Sequence, residues 1–210
     1  IDAFIEAVQG DPDTAELHFA LGNLFRRRGD YDRAVRVHEH LLSRADLNRK
    51  DRDRAQHALA LDFLKAGLLD RAETALLKLQ DSAFGAEALL ALLAIYERSR
   101  DWTQAKAIAM RLDDVEQGSF STRIAHHLCE EAEQAQRTGD SALARQKLEE
   151  AVSRAPQLAR GWMALSALLA QGGDGSGAFD ALIRLSAHAP QAMPLAAGTM
   201  ADLARQTGRE

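Results

Sequence analysis

Apolar residues recur along this chain at intervals of three and four, a spacing that places them on one face of an α-helix. In residues 17–42 (LHFALGNLFRRRGDYDRAVRVHEHLL), two such segments are separated by the pair Gly29-Asp30. A glycine followed by an acidic residue is typical of the end of one helix and the N-cap of the next. The pattern therefore predicts two antiparallel helices joined by a tight turn.

This helix pair recurs along the chain, and an alanine follows each turn at the same place. Successive alanines are separated by 38, 33, 39 and 34 residues. They are Ala34, Ala72, Ala105, Ala144 and Ala178. A period close to 34 residues is that of the tetratricopeptide repeat (TPR), whose helix pairs stack into a solenoid. We therefore predict an all-α TPR α-solenoid, a right-handed superhelix of antiparallel helix pairs.

We predict that a single solenoid spans residues 1–210. Full repeats are expected at about 15–52, 53–85, 86–124, 125–158 and 159–192, with 1–14 as the end of a truncated repeat and 193–210 as the start of a further one. Insertions lengthen two of the repeats. Residues 43–52 are expected to extend the next helix, with Asn48 as its N-cap, and residues 113–122 to form a loop.

Small residues in the first helix of each pair are expected to face the alanine column. Two helices approach closely only where their side chains are small. The small residues are Gly22, Ala60, Ala132 and Ser166. His38 follows Ala34 by four residues, where the repeat packs a core side chain, so we predict a structural role for this histidine.

Composition excludes several classes of protein. With 26 basic and 31 acidic residues the formal net charge is −5, which does not favour nucleic acid as a partner. Hydrophobic residues make up 46% of the chain, which is typical of a folded protein, but no apolar run approaches the roughly 18 residues of a membrane helix. The single cysteine, Cys129, excludes an internal disulfide.

The chain carries little recognisable catalytic chemistry. The glycine-rich segment 172–177 follows a predicted helix rather than a strand, so we interpret it as a turn and not as a phosphate-binding loop. His126 and Cys129 stand three residues apart and could share one helix face, as two metal ligands or as an activated thiol. We predict no catalytic residue and no metal site, and keep an enzyme or metalloprotein based on this pair as an alternative hypothesis.

The first helices of TPR pairs line an inner groove, and the repeat register indicates which residues point into it. Basic side chains with an amide and an aromatic ring suit an extended peptide that carries acidic groups or a free carboxylate. The predicted groove contacts are Phe19, Asn23, Arg26, Arg27, Arg54 and His57. The alternative is that these arginines only make a solvent-exposed helix face soluble and bind no partner.

Four segments resemble one particular family of TPR proteins. They are residues 17–42, 66–73 (AGLLDRAE), 92–112 (LLAIYERSRDWTQAKAIAMRL) and 124–132 (IAHHLCEEA). Their order and spacing are similar to those of the LapB (YciM) family, the lipopolysaccharide assembly proteins of Gram-negative bacteria. The resemblance covers nearly the whole chain and is most distinctive in the first segment.

The resemblance implies a non-enzymatic adaptor at the cytoplasmic side of the inner membrane. Members of the family promote degradation of the deacetylase LpxC by the membrane protease FtsH, and a YejM-type regulator opposes them. They also have an N-terminal membrane anchor and a C-terminal rubredoxin-like metal domain with paired CxxC motifs. Since these 210 residues contain no CxxC pair, we expect no cofactor in them.

Two other interpretations remain open. The chain could be a TPR scaffold or chaperone-type module that assembles a different protein complex. It could also form a homo-oligomer, with the apolar residues Phe4 and Ile5 of the truncated repeat pairing with a second copy.

Overall fold

The computed structural model describes residues 14–209, and these form eleven α-helices and one short 3₁₀ helix. In chain order they are α1 (Thr14–Arg27), α2 (Tyr31–Ser43), α3 (Arg49–Ala66), α4 (Leu69–Leu77), α5 (Gly85–Ser99), α6 (Trp102–Glu116), α7 (Ser121–Arg137), α8 (Ser141–Arg154), α9 (Ala159–Gln171), α10 (Gly175–His188), the 3₁₀ helix Pro190–Ala192, and α11 (Met193–Thr207). The all-α prediction is confirmed. The proposed oligomer contacts Phe4 and Ile5, with most of the predicted truncated repeat, lie outside the described residues.

The helices fall into two compact units, one ending at Arg98 and the other beginning at Ser99. In the first unit, α1 packs on α2, and α3 packs on both α2 and α4. In the second, α7 packs on α6 and α8, α9 on α8 and α10, and α11 on α10. Consecutive helices that are joined by short turns and packed together form the antiparallel pairs expected of TPRs. That a single solenoid spans both units stays a prediction.

The alanine column is completely buried. All five of its members, Ala34, Ala72, Ala105, Ala144 and Ala178, have an exposed fraction of 0%. Where the first helix carries Ser166, the hydroxyl donates a hydrogen bond of 2.9 Å to the carbonyl oxygen of Ala178, so the small residue faces the column as predicted. A larger side chain at these alanines would have to separate the helices.

Both insertions shape the helix ends. Asn48 accepts a hydrogen bond of 2.9 Å from the backbone N–H of Asp51, which confirms it as the N-cap of α3. The loop predicted for 113–122 is wrong at both ends, because α6 continues to Glu116 and α7 begins at Ser121. Nothing before Gln117 and Gly118 breaks the helix, and these two residues adopt positive φ angles. After the two insertions, α3 and α7 each begin four residues before the predicted start of their repeat.

Of the helices in residues 14–209, none has both the length and the apolar character needed to cross a membrane.

Candidate functional site

Arg26, a predicted groove contact, is held by the protein itself. Its guanidinium reaches from α1 to α3, where Nη1 donates to Asp62 Oδ1 at 2.9 Å and to the carbonyl oxygen of Ala58 at 3.0 Å. Its Nη2 donates to the side-chain oxygen of Asn23, a second predicted contact. Asp62 is completely buried. Arg26 and Asn23 are therefore already engaged within the protein, and the buried carboxylate orients the arginine. That these two residues contact a partner stays a prediction.

His38 binds the other oxygen of the same carboxylate. Its Nδ1 lies 2.5 Å from Asp62 Oδ2, and the imidazole is completely buried, as predicted for a structural histidine. The ring lies against Gly22, where a Cβ atom would come within 2.6 Å of His38 Cε1. Because nothing larger than glycine leaves room for the imidazole, Gly22 and His38 form one packing unit that orients Asp62.

Phe19 is a core residue and not a groove contact. It is only 1% exposed and packs with Leu41 and Ala55. The guanidinium carbon of Arg54 lies 4.0 Å from the centre of its ring, in a cation–π contact, and Arg54 also donates a hydrogen bond to Glu16. This hydrogen bond lowers the pKa of the Glu16 carboxyl. Phe19 therefore influences the protein surface only by packing against the guanidinium of Arg54.

His57 has a similar environment one helical turn further along α3. Its ring stacks on Phe84, with 4.4 Å between centroids, and its Nε2 lies 3.1 Å from Glu87 Oε2. Burial lowers the pKa of His57, although the Glu87 carboxylate opposes this effect. The imidazole is therefore neutral at pH 7 and offers a hydrogen-bond donor rather than a positive charge.

These contacts define a surface that we call the first-helix face. It is the side of α1, α3 and the start of α5 that carries Glu16, Arg27, Arg54, His57 and Glu87. Arg27 is exposed and follows Glu16 by eleven residues, three helical turns, so both lie on one side of α1. Of the six predicted contacts, Arg27 is exposed and Phe19 is buried. The other four, Asn23, Arg26, Arg54 and His57, are half-buried.

The pair His126 and Cys129 does not form an activated nucleophile. Burial raises the pKa of the Cys129 thiol to about 11, so the thiol is protonated at neutral pH. Burial, together with the nearby Arg160, lowers the pKa of His126. Within residues 14–209, no three histidine, cysteine or acidic side chains lie close enough together to hold a metal ion.

Sequence reasoning missed two buried carboxylates, Asp62 and Glu131. Glu131 is only 9% exposed and binds Lys106 Nζ at 2.8 Å and Lys147 Nζ at 2.7 Å. Burial raises the pKa of its carboxyl, but the two lysine hydrogen bonds outweigh burial and the net shift is downward.

The repeat alignment contained a signal for Glu131, whose column is otherwise leucine, but not for Asp62, whose column is mixed. Asp62 lies ten residues before its alanine, and Glu131 lies thirteen before its own. At the first position other repeats have Leu24, Ile95, Gln134 and Leu168, and at the second Leu21, Leu59, Leu92 and Leu165. An acidic residue in an apolar column indicates a buried charge that needs a partner.

Two clefts lie elsewhere, at equivalent places in the two units. One, of about 560 Å³, is enclosed by α2, α3 and α4, and the other, of about 470 Å³, by α8, α9 and α10. Each has a glutamate on the second helix of one pair, Glu39 or Glu149, and a basic residue six positions after the alanine of the next pair, Lys78 or Arg184. Because both signs of charge line each cleft, neither favours one ionic ligand.

Two segments of the chain match family models described as tetratricopeptide repeat, residues 17–53 and residues 129–194. The chain is 40% identical to lipopolysaccharide assembly protein B of Escherichia coli K12 over 131 residues, which are 62% of this chain and 34% of that protein. It is 36% identical to the protein of the same name from Haemophilus influenzae over 116 residues, 55% of this chain and 29% of that protein. The matched region is thus about a third of the length of these relatives.

Among solved structures, a MamA protein is similar in fold. Its TM-score is 0.49 and its sequence identity 18%, over 85% of this chain and 93% of that one.

Proposed function

Because the chain is a tetratricopeptide-repeat protein that resembles lipopolysaccharide assembly protein B over 62% of its residues, we propose that it is a non-enzymatic adaptor that regulates lipopolysaccharide biosynthesis. Its client in this proposal is the deacetylase LpxC, which it presents to the protease FtsH for degradation, while a YejM-type regulator opposes it. In this proposal the protein acts at the cytoplasmic side of the inner membrane.

The mechanism requires binding but no chemistry by the adaptor. A client held on a scaffold beside a protease is at a high effective concentration, so cleavage becomes faster without any new contact between protease and client. A rigid surface is an advantage, because side chains that are already ordered lose less entropy on binding. On the first-helix face, Arg54 and His57 are ordered in this way by Phe19 and Phe84.

The observation that best supports the proposed binding site is the environment of the Arg54 side chain. It is a charged donor on α3 that is 40% exposed and supported by an aromatic ring. Arg26 is unsuitable for a test by charge reversal, because a second carboxylate beside the buried Asp62 would destabilise the fold. Arg36 is exposed on α2, outside the first-helix face, and therefore provides a matched control for the change in charge.

The test measures the affinity of the full chain and its variants for purified LpxC, by biolayer interferometry. We expect Arg54→Glu to weaken binding about tenfold or more, because it replaces a charge-assisted donor with a like charge. Arg36→Glu is expected to bind as the unmodified chain does, and both variants to have unchanged circular dichroism. Equal affinities of Arg54→Glu and Arg36→Glu would contradict the proposed site.

A generic TPR scaffold for another complex is the second candidate function. The matches to the repeat models extend over residues 129–194, and such repeats occur in proteins that bind many different clients. The same measurement separates the two candidates. If the unmodified chain does not bind LpxC, the generic scaffold is favoured.

A further inference from the structure

Arg54 and His57, two hydrogen-bond donors on α3, have similar neighbours, and the packing of the repeat does not require this similarity. Arg54 lies on the ring of Phe19 and binds Glu16, and both of these residues belong to α1. His57 stacks on Phe84 and lies beside Glu87, which come from the start of the next helix pair. Each donor is therefore held between one aromatic ring and one carboxylate, with partners supplied from opposite sides of α3.

The carboxylates at these two donors differ from the one at Arg26. The side chains of Glu16 and Glu87 are 71% and 67% exposed, whereas Asp62 is completely buried. Contacts of carboxylates that are this exposed add little to stability, because water and side-chain entropy compete with them. Glu16 and Glu87 can therefore turn into solvent at little cost, while Asp62 cannot leave Arg26.

We propose that Glu16 and Glu87 occupy the positions that two acidic side chains of a partner take when it binds. The site on α3 is then a docking site for an extended acidic segment, and the protein's own carboxylates are internal competitors. This inference rests on the proposed function, because it concerns the same first-helix face. The aromatic rings keep Arg54 and His57 oriented during the exchange, so the incoming carboxylates meet donors that are already ordered.

The acidic side chains of such a partner must lie on one side of its backbone. In an extended peptide, alternate residues point the same way and stand about 7 Å apart. A ten-residue peptide of alternating serine and glutamate, labelled with fluorescein, therefore offers carboxylates at several separations along one side. The matching peptide of alternating serine and glutamine has the same length and shape without the charges.

The experiment removes the internal competitors and measures binding of both peptides by fluorescence anisotropy. We expect the double variant Glu16→Gln/Glu87→Gln to bind the serine–glutamate peptide about threefold to tenfold more tightly than the unmodified chain. The gain should shrink at high salt, because exposed charges are screened. Addition of Arg54→Ala to the double variant should remove most of the gain.

A control variant, Asp32→Asn/Asp114→Asn, removes two exposed acidic residues outside the first-helix face and changes the net charge equally. A comparable gain in this control, a gain for the serine–glutamine peptide, or no binding of the serine–glutamate peptide by the double variant would overturn the inference. Those results leave the proposed function intact as long as Arg54→Glu still weakens binding to LpxC. Loss of the effect of Arg54→Glu on LpxC would instead count against the proposed function.

Discussion

At the scale of single residues, the first helix pair is unusual because a histidine replaces a leucine. His38 lies four residues after Ala34, where other pairs have Leu76, Leu148 and Leu182. In those pairs the small residue of the first helix is Ala60, Ala132 or Ser166, whereas the pair with histidine has Gly22. The flat imidazole is directed at Asp62 and lies on the backbone of Gly22, so the two substitutions depend on each other.

This dependence predicts coupling between the two positions. Gly22→Ala should lower the free energy of unfolding by about 1–3 kcal/mol, because its methyl group displaces the imidazole from Asp62. In a His38→Leu background the same change should cost at least about 0.5 kcal/mol less, since alanine and leucine occur together in other pairs. Urea unfolding of the four proteins in this double-mutant cycle measures the difference. An equal cost in both backgrounds would show that Gly22 does not make room for His38.

Sequence reasoning succeeded at residues whose role is local and failed where a distant partner decides. The burial of His38 followed from its place in the repeat. Arg26 was predicted as a groove contact without its bond to Asp62, because nothing in the sequence marks a contact between residues 36 positions apart. Phe19 was placed in the groove, although its ring closes against Leu41 and Ala55. The repeat register assigns a residue to a helix face with an error of about one position. An error of one position is enough to exchange a core residue for a groove residue.

At the scale of helices, the tight turns follow a local chemistry that can be read directly from the sequence. Gly29, Gly139 and Gly173 each have a φ angle between 78° and 85°, five residues before the alanine of their pair. The aspartate after each glycine caps the next helix, as Asp30 does by accepting from the backbone N–H of Arg33. Glycine is favoured at such a φ angle because it has no Cβ atom, and aspartate because it accepts from a free N–H.

Two turns depart from this rule, since Gly67 is followed by Leu68, which makes no side-chain cap, and the other turn has no glycine. Arg100 occupies the position of the turn glycine, between α5 and α6, and has a φ angle of 58°. Arg100→Gly should raise the free energy of unfolding by about 0.5–1 kcal/mol, because an L-residue is strained in this region. The reciprocal change, Gly139→Arg at a φ angle of 83°, should lower the free energy of unfolding. Thermal unfolding of both variants checks the pair, and a loss of stability on Arg100→Gly would contradict the explanation.

At the scale of the whole molecule, the same column of buried alanines occurs in both compact units. The all-α repeat could be predicted because it depends on a period that the sequence displays many times. The candidate site could be predicted only in part, since the contacts of Arg54 and His57 depend on side chains from neighbouring helix pairs. Their register places Glu16 and Glu87 beside these donors, so the first-helix face depends on the repeat register of the first unit.

The most direct test of this account is the stability of an alanine-to-leucine series across both units, measured by urea unfolding. Each of Ala34, Ala72, Ala105, Ala144 and Ala178 is replaced in turn, and the exposed residues Ala107, Ala142 and Ala187 serve as controls. We expect leucine at each column alanine to cost about 1–3 kcal/mol, because it separates two closely packed helices, and leucine at the exposed alanines to cost less than about 0.5 kcal/mol. Column variants as stable as the controls would contradict the repeat register, and with it the binding face that the register creates.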